Sequence, residues 1–101
     1  MKVVLCTIHK DKSEDMARIL LEEKLVACVN ILPSITSLYW WNGEIQKDME
    51  DLLILKTKDE LTNDLVEKIK EIHPYDIPEV IALKVEDGNG DYIDRINKSV
   101  K

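Results

Sequence analysis

The stretch that decides the fold is residues 36–45, TSLYWWNGEI, in which a β-branched and aromatic run ends at Asn42-Gly43. Asn-Gly in this setting is the strongest short-range signal for a β-hairpin, because both turn residues must accept a positive φ. Both tryptophans and Tyr39 therefore lie near the tip of a two-stranded arm. The chain has no phenylalanine, so the rest of its core must be aliphatic.

The two strands of this arm are predicted to be unusually long. Runs of thirteen or more residues at about 3.3 Å per residue span roughly 43 Å, which exceeds what two helices of about twelve residues can cover. We expect the surplus to pack on another copy of the chain, because an exposed aromatic tip is costly for a monomer. The residues assigned to this assembly contact are Leu38, Tyr39, Trp40 and Trp41. A cage of aromatic rings around a ligand is the alternative role.

The register of the hairpin follows from its turn. A two-residue turn places Trp40 opposite Ile45, and two positions further from the tip Leu38 faces Lys47. Pro33 interrupts the first strand of the arm. Because proline has no N–H to donate to a ladder, it predicts a bulge or a sheet edge at this position.

Hydrophobic periodicity divides the whole chain into seven elements. They are a strand over Lys2–Ile8, a helix after Asp11, strands over Ala27–Trp41 and Ile45–Thr57, a helix ended by Pro74, a strand over Glu79–Val85 and a closing helix within Tyr92–Val100. Asp11 with Glu14 and Thr57 with Glu60 have the spacing of capping boxes and predict where the first two helices begin. This β-α-β-β-α-β-α order predicts a ferredoxin-like α+β sandwich with an added C-terminal helix, in a single domain over residues 1–101.

Composition narrows the classes of partner. The 101 residues contain 14 Lys and Arg against 20 Asp and Glu, a formal net charge of −6. This charge repels phosphate backbones and anionic lipid surfaces, so neither nucleic acid nor a membrane is expected as a partner. No apolar run reaches the length that spans a bilayer, and the N-terminus lacks a signal-peptide pattern. A cytoplasmic location with reduced cysteines is the expectation.

Several motifs, in order along the chain, carry a family resemblance. They are Val3–Thr7, Glu23–Asn30, Tyr39–Ile45, Leu55–Thr57 and His73–Pro78. Together they resemble the divalent-cation tolerance proteins, the CutA family, over essentially the whole chain. The resemblance implies a ferredoxin-like subunit in a tight homotrimer similar to the nitrogen-regulatory PII proteins, with long hairpins that reach across to neighbouring subunits. It also implies binding of copper and other divalent metals in a non-enzymatic role in metal tolerance.

The resemblance also implies metal ligands. Cys6 matches a family cysteine in the first strand, and His73 matches the second of two adjacent histidines, whereas Ile72 occupies the place of the first. Because the fourth strand of this fold runs antiparallel beside the first, His9 is a possible additional ligand in place of the missing imidazole. Other roles are a small buried hydrophobe for Cys6, a turn-orienting ring for His73 and a solvated surface residue for His9.

Cys28 and the enzyme alternatives receive less support. Cys28 lies in an apolar setting, and the expected strand order separates it from Cys6, so a disulfide between them is not predicted.

An acylphosphatase of this fold needs an arginine in the loop after the first strand, yet the only arginines are Arg18 and Arg95. An RNA-recognition module would carry aromatic residues where this chain has Leu5 and Leu53. No phosphate loop or nucleophile motif is present.

Two functions from different classes follow. The first is a cytoplasmic, copper-binding homotrimer of the CutA type that uses Cys6 and His73. The alternative is a PII-like signalling trimer that senses a small metabolite or anion in the clefts between subunits, where Asp48, Glu50 and Lys56 of the arm are candidates to line the cleft. A charged residue on a long strand is otherwise expected to belong to its solvated face.

Overall fold

The fold is a four-stranded antiparallel sheet with its first two helices packed on one face, as the computed structural model describes for all 101 residues. The elements are β1 (Lys2–Ile8), α1 (Lys10–Glu22), β2 (Cys28–Trp41), β3 (Glu44–Thr57), a 3₁₀ turn (Asp59–Leu61), α2 (Thr62–Ile72), β4 (Val80–Lys84) and α3 (Gly90–Lys98). The strand order is β2-β3-β1-β4. The ferredoxin-like α+β architecture with an added C-terminal helix is thus confirmed. No helix is long and apolar enough to cross a membrane.

The aliphatic core lies between the sheet and the first two helices. It consists of Val4, Cys6, Ile8, Met16, Leu20, Leu25, Val26, Leu53, Leu55, Leu61, Leu65 and Ile69. Alternate residues of β1 and β3 face this side because side chains alternate along a strand. Full burial of each large aliphatic side chain is worth about 1.5–3 kcal/mol, so this layer supplies most of the stability of the body.

The opposite face of the sheet leaves several large apolar side chains exposed, and we call it the open face. In the centre of this face Leu5 lies opposite Ile54 on one side and Ile81 on the other. Leu32 and Leu83 extend it toward the two edge strands and, like Ile81, are exposed. A contiguous apolar surface of this kind is typical of a protein interface.

The hairpin arm has the predicted register. Trp40 pairs with Ile45 and Leu38 pairs with Lys47. At the tip Asn42 and Gly43 have φ values of 50° and 76°, the two positive angles that a type I′ turn requires. Both β2 and β3 are 14 residues long, and the arm extends the molecule to 45 Å along its longest axis.

A bulge separates the arm from the body, at the position that Pro33 predicts. The pairing passes from Leu32 opposite Leu52 to Ile35 opposite Glu50, so that Pro33 and Ser34 together face the single residue 51. Ser34 has a φ of 58°, which is uncommon for a residue with a side chain. We define the arm as residues 35–50, beyond this bulge.

The predicted helix starts are wrong. Helix α1 begins at Lys10, and its N-cap is His9, whose Nδ1 accepts from the Asp11 amide at 3.4 Å. Thr57 does not cap α2, because it is still in β3, fully buried, and donates its hydroxyl to the Leu25 carbonyl at 2.7 Å. A 3₁₀ turn intervenes, and α2 starts without a side-chain cap.

Candidate functional site

The candidate site lies at the carboxyl end of β1, where the loop after α2 crosses it. β4 pairs antiparallel with β1, as predicted, and the chain before it brings His73 against the last residues of β1. The ring of His73 is buried, and its Nε2 lies 2.9 Å from the Thr7 carbonyl oxygen. Residues 66 positions apart in sequence therefore meet at one carbonyl.

The two ring nitrogens of His73 have different partners. The backbone amide of Tyr75 donates to Nδ1 at 3.1 Å, so Nδ1 is the acceptor and Nε2 carries the proton that it donates to Thr7. The ring also packs edge-on against Tyr75, with ring centroids 4.5 Å apart at 63°. These contacts fix both the tautomer and the orientation of the imidazole.

Cys6 approaches the same carbonyl group from within the core. Its side chain is fully buried, and Sγ lies 3.7 Å from the Thr7 oxygen. Burial raises the pKa of the thiol to about 12, and the carboxylates of Glu79 and Glu50 add to the rise. The thiol is therefore protonated at neutral pH. The expected role of Cys6 as a small buried residue is confirmed, and its role as a metal ligand stays a prediction.

The buried Glu50 and the half-buried Tyr75 form a polar pair beside His73. The phenol of Tyr75 donates to Glu50 Oε2 at 2.8 Å, and Glu50 is only 9% exposed. Desolvation raises the pKa of Tyr75, with the hydrogen bond to Glu50 as the next cause. Of the two roles left open for Glu50, the solvated face is wrong, because the loop after α2 folds Tyr75 over it, and the role in a cleft stays a prediction.

A second phenol and carboxylate lie further along the arm on the same face of β3. Tyr39 donates to Asp48, and this bond raises the pKa of the Tyr39 phenol. Asp48 and Glu50 are two residues apart, so their side chains share the open face of the sheet. Sequence reasoning missed both phenol pairs, since neither the diagonal contact across the hairpin nor the loop contact has a local signal.

The assembly residues remain largely uncovered within one chain. Leu38 is 67% exposed, Trp40 is 72% exposed and Trp41 is 60% exposed. Tyr39 is also exposed, although Asp48 occupies its hydroxyl. The side chains that the sequence assigns to a contact with another copy are therefore available for one.

His9 does not join Cys6 and His73 in a chelate within one chain. Its exposed ring caps α1 and lies 3.6 Å from the Asp11 carboxylate. No group of three or more His, Cys, Asp or Glu side chains lies close enough together to hold a metal ion. Ile72, in the place of the missing imidazole, packs against the core. The thiol and imidazole suit copper by type, but both are engaged at Thr7.

Cys28 lies in a different environment. It is half-buried on β2, with the Lys56 ammonium 3.6 Å from its sulfur, and the same ammonium also binds Asn30. β3 separates its strand from β1, as predicted, and both cysteines are free thiols. Cys28 is therefore not part of the candidate site.

Comparison with known proteins identifies the family. Residues 2–99 match the family described as CutA1 divalent ion tolerance protein. The chain belongs to this family. The CutA1 family is described by tolerance to divalent ions and not by a catalysed reaction, and the resemblance seen in the sequence motifs is confirmed.

Relatives match over nearly the whole chain. The divalent-cation tolerance protein CutA of Thermus thermophilus is 41% identical over 99 residues, 97% of this chain and 96% of the relative. Protein CutA 1, chloroplastic, of Oryza sativa is 45% identical over 100 residues, 98% of this chain but only 56% of the rice protein. The PII-like protein CutA from Nostoc sp. PCC 7120, solved in apo form, has a TM-score of 0.95 at 34% identity, covering 100% of this chain and 98% of that chain. The fold is therefore PII-like as well as CutA1-like.

Proposed function

We propose that this protein is a non-enzymatic homotrimer that binds divalent copper and takes part in tolerance of metal ions, with Cys6 and His73 as ligands. The observation that carries the proposal is the convergence of a thiol and an imidazole on the Thr7 carbonyl in a chain of the CutA1 family. Thiolate and imidazole are the side-chain ligands that suit copper.

The charges around Cys6 favour a cation. The carboxylates of Glu50 and Glu79 raise the pKa of the thiol because they oppose a second negative charge nearby. The same negative potential attracts a divalent ion, whose charge then favours loss of the thiol proton. His73 exchanges its bond to Thr7 for the metal in this proposal. His9, which the 3.4 Å cap bond holds only weakly, is the proposed additional ligand.

The uncovered apolar surfaces support the trimer. The open face of the sheet and the arm tip both present large apolar side chains to solvent in one chain. A second and third copy that cover these surfaces remove the cost of their exposure. The elongated arm gives each copy the reach to cross to its neighbour.

Copper titration of the purified protein by calorimetry, without oxygen and with a chelator control, tests the metal site. We expect His73→Ala and Cys6→Ser each to lower the affinity about 10-fold or more, because each removes a direct ligand. Cys28→Ser is the matched control for thiol chemistry outside the site and should retain the parent affinity. Anaerobic conditions prevent copper from oxidising the thiols during the titration.

The variants also separate the possible ligand sets. If the double variant C6S/H73A binds copper as tightly as the parent, the proposed site does not operate in this chain. Loss of binding in His9→Ala supports the substituted ligand. An unchanged affinity in that variant leaves Ile72 as a gap in the site.

A signalling trimer is the second candidate, favoured by the PII-like fold and by the paired phenols and carboxylates at Asp48 and Glu50. These groups lie on the open face, where a neighbouring copy would complete a cleft. Their negative charge disfavours an anion, so a small neutral or cationic metabolite is the version that the geometry supports. A tolerance phenotype that survives in the C6S/H73A strain would support this function over copper binding.

A further inference from the structure

A buried carboxylate joins the arm to the body. Asp51 is only 5% exposed, yet no Lys, Arg or His forms an ion pair with it. Its two oxygens have separate partners: Oδ2 accepts from the Ser13 hydroxyl at 2.6 Å and Oδ1 accepts from the Ser34 amide at 3.1 Å. A buried carboxylate is costly unless such bonds satisfy it, so its position calls for a specific role.

The bond from Ser34 to Asp51 gives a backbone amide of the bulge its hydrogen-bond acceptor. Asp51 is the single residue of β3 that faces Pro33 and Ser34. Proline has no amide proton, and the register shift removes the Ser34 amide from the ladder. The carboxylate of Asp51 therefore supplies the acceptor that the sheet cannot supply, and it holds Ser34 at its positive φ.

The bond to Ser13 connects the bulge to a rigid helix. Ser13 is buried on α1, and its hydroxyl also lies 3.2 Å from the Lys10 carbonyl. The same helix places Met16 and Leu20 in the core. On the other face of the sheet the next residue, Glu50, is bound by Tyr75. The base of the arm is thus fastened on both faces.

We infer that the linkage Ser13–Asp51–Ser34 sets the direction in which the arm leaves the body, and that Asp51 is thereby a positioning residue for assembly. The inference rests on the proposed trimer. Beyond the bulge the seven residues 35–41 span roughly 23 Å at about 3.3 Å each, so a rotation of about 10° at the base moves the tip by roughly 4 Å. Such a shift takes Trp40 and Trp41 out of register with a neighbouring copy.

Two substitutions of Asp51, with a control elsewhere in β3, separate the effect of the linkage on the arm from a general loss of stability. Asp51→Val removes both acceptors and places a β-branched side chain, which strands favour, at this position. Asp51→Asn keeps the linkage, because its amide oxygen accepts from Ser34 and its amide nitrogen donates to the Ser13 oxygen. Thr57→Val is the matched control: it removes another buried bond of β3, to Leu25, at the end of the strand far from the bulge.

Two quantities are measured for each variant. They are the dissociation constant of the assembly, from sedimentation equilibrium, and the rate of amide exchange of residues 35–50. For D51V we expect the dissociation constant and the exchange of the arm to rise about 10-fold or more, because the bonds to Ser13 and Ser34 are both lost and the loss of one buried hydrogen bond alone is worth about 10-fold. D51N should stay within about 2-fold of the parent in both. T57V should melt at a lower temperature with the arm unchanged.

The inference is overturned if D51V keeps the parent's dissociation constant and arm exchange, or if T57V or D51N loosens the arm as much as D51V does. A parent that is monomeric at every concentration contradicts the proposed trimer itself. In that case amide exchange of residues 35–50 in the monomer still decides whether Asp51 holds the base of the arm closed.

Discussion

Strands β2 and β3 run through both the body and the arm, but their apolar side chains are buried in the body and exposed in the arm. In the body, β3 places Leu53 and Leu55 at complete burial against α1 and α2. In the arm, the same strands carry Trp40 at 72% exposure and Leu38 at 67% exposure. Hydrophobic content is similar in the two regions, so the difference lies in the reach of the helices. One chain completes the body, whereas the apolar side chains of the arm stay uncovered within one chain.

The largest expected effect on assembly comes from removing the two tryptophans of the arm. We expect Trp40→Ala with Trp41→Ala to weaken association most, because full burial of each side chain at an interface is worth about 1.5–3 kcal/mol. Sedimentation at several concentrations measures the loss, and the melting temperature should fall with dilution. An unchanged mass and melting curve would show that these aromatics do not hold the assembly.

A substitution in the body provides the contrast. Leu53→Ala leaves a cavity in the core and should lower the free energy of unfolding by about 2–5 kcal/mol. Urea denaturation measures this loss in the isolated subunit as well as in the assembly. If the effects of L53A and of the tryptophan pair depend equally on protein concentration, the division between arm and body is not valid.

The boundary between the regions is tested by Tyr75→Phe. This change removes only the hydroxyl that donates to Glu50, a carboxylate that is 9% exposed. We expect a loss of about 1–3 kcal/mol in the free energy of unfolding, because Glu50 is left without that donor. In the double variant Y75F/E50Q the loss should be smaller than the sum of the two single losses, since the two residues share one contact. Additive losses would contradict the pairing.

Alkaline pH should act on the body through Cys6. The pKa of the folded thiol, about 12, lies above its ordinary value of 9.0, so between these pH values the unfolded chain loses a proton that the folded chain keeps. The stability contributed by the neutral thiol is complete below pH 9 and falls as pH rises toward 12, by at most about 1.4 kcal/mol per pH unit. Cys6→Ala should show a flatter decline in thermal stability over this range. Val4→Ala, a cavity at the neighbouring buried position, should keep the parent's slope.

Sequence reasoning succeeded where the signal was local. The turn at Asn42-Gly43 and the proline at 33 are features of a few adjacent residues, and they predicted the arm register and the bulge correctly. The helix starts were wrong because tertiary contacts override local capping patterns: Thr57 is held in the strand by Leu25.

The sequence also carries no local signal for the burial of two carboxylates. Glu50 and Asp51 look alike in sequence, yet each is buried by a partner distant along the chain. Tyr75 is 25 residues from Glu50, and Ser13 is 38 residues from Asp51. Long-range contacts of this kind leave no periodic signal, so the sequence offered Glu50 as a cleft candidate without predicting its bond to Tyr75 and gave no role to Asp51.

The placement of both tryptophans on the arm makes this protein its own spectroscopic reporter. Indole emission comes only from residues 40 and 41, while the body contains no tryptophan at all. Emission therefore follows the water exposure of the arm, and the helical signal in far-ultraviolet circular dichroism follows the body, which contains every helix. A single sample observed by both signals distinguishes separation of the subunits from unfolding of the subunit, without any label attached.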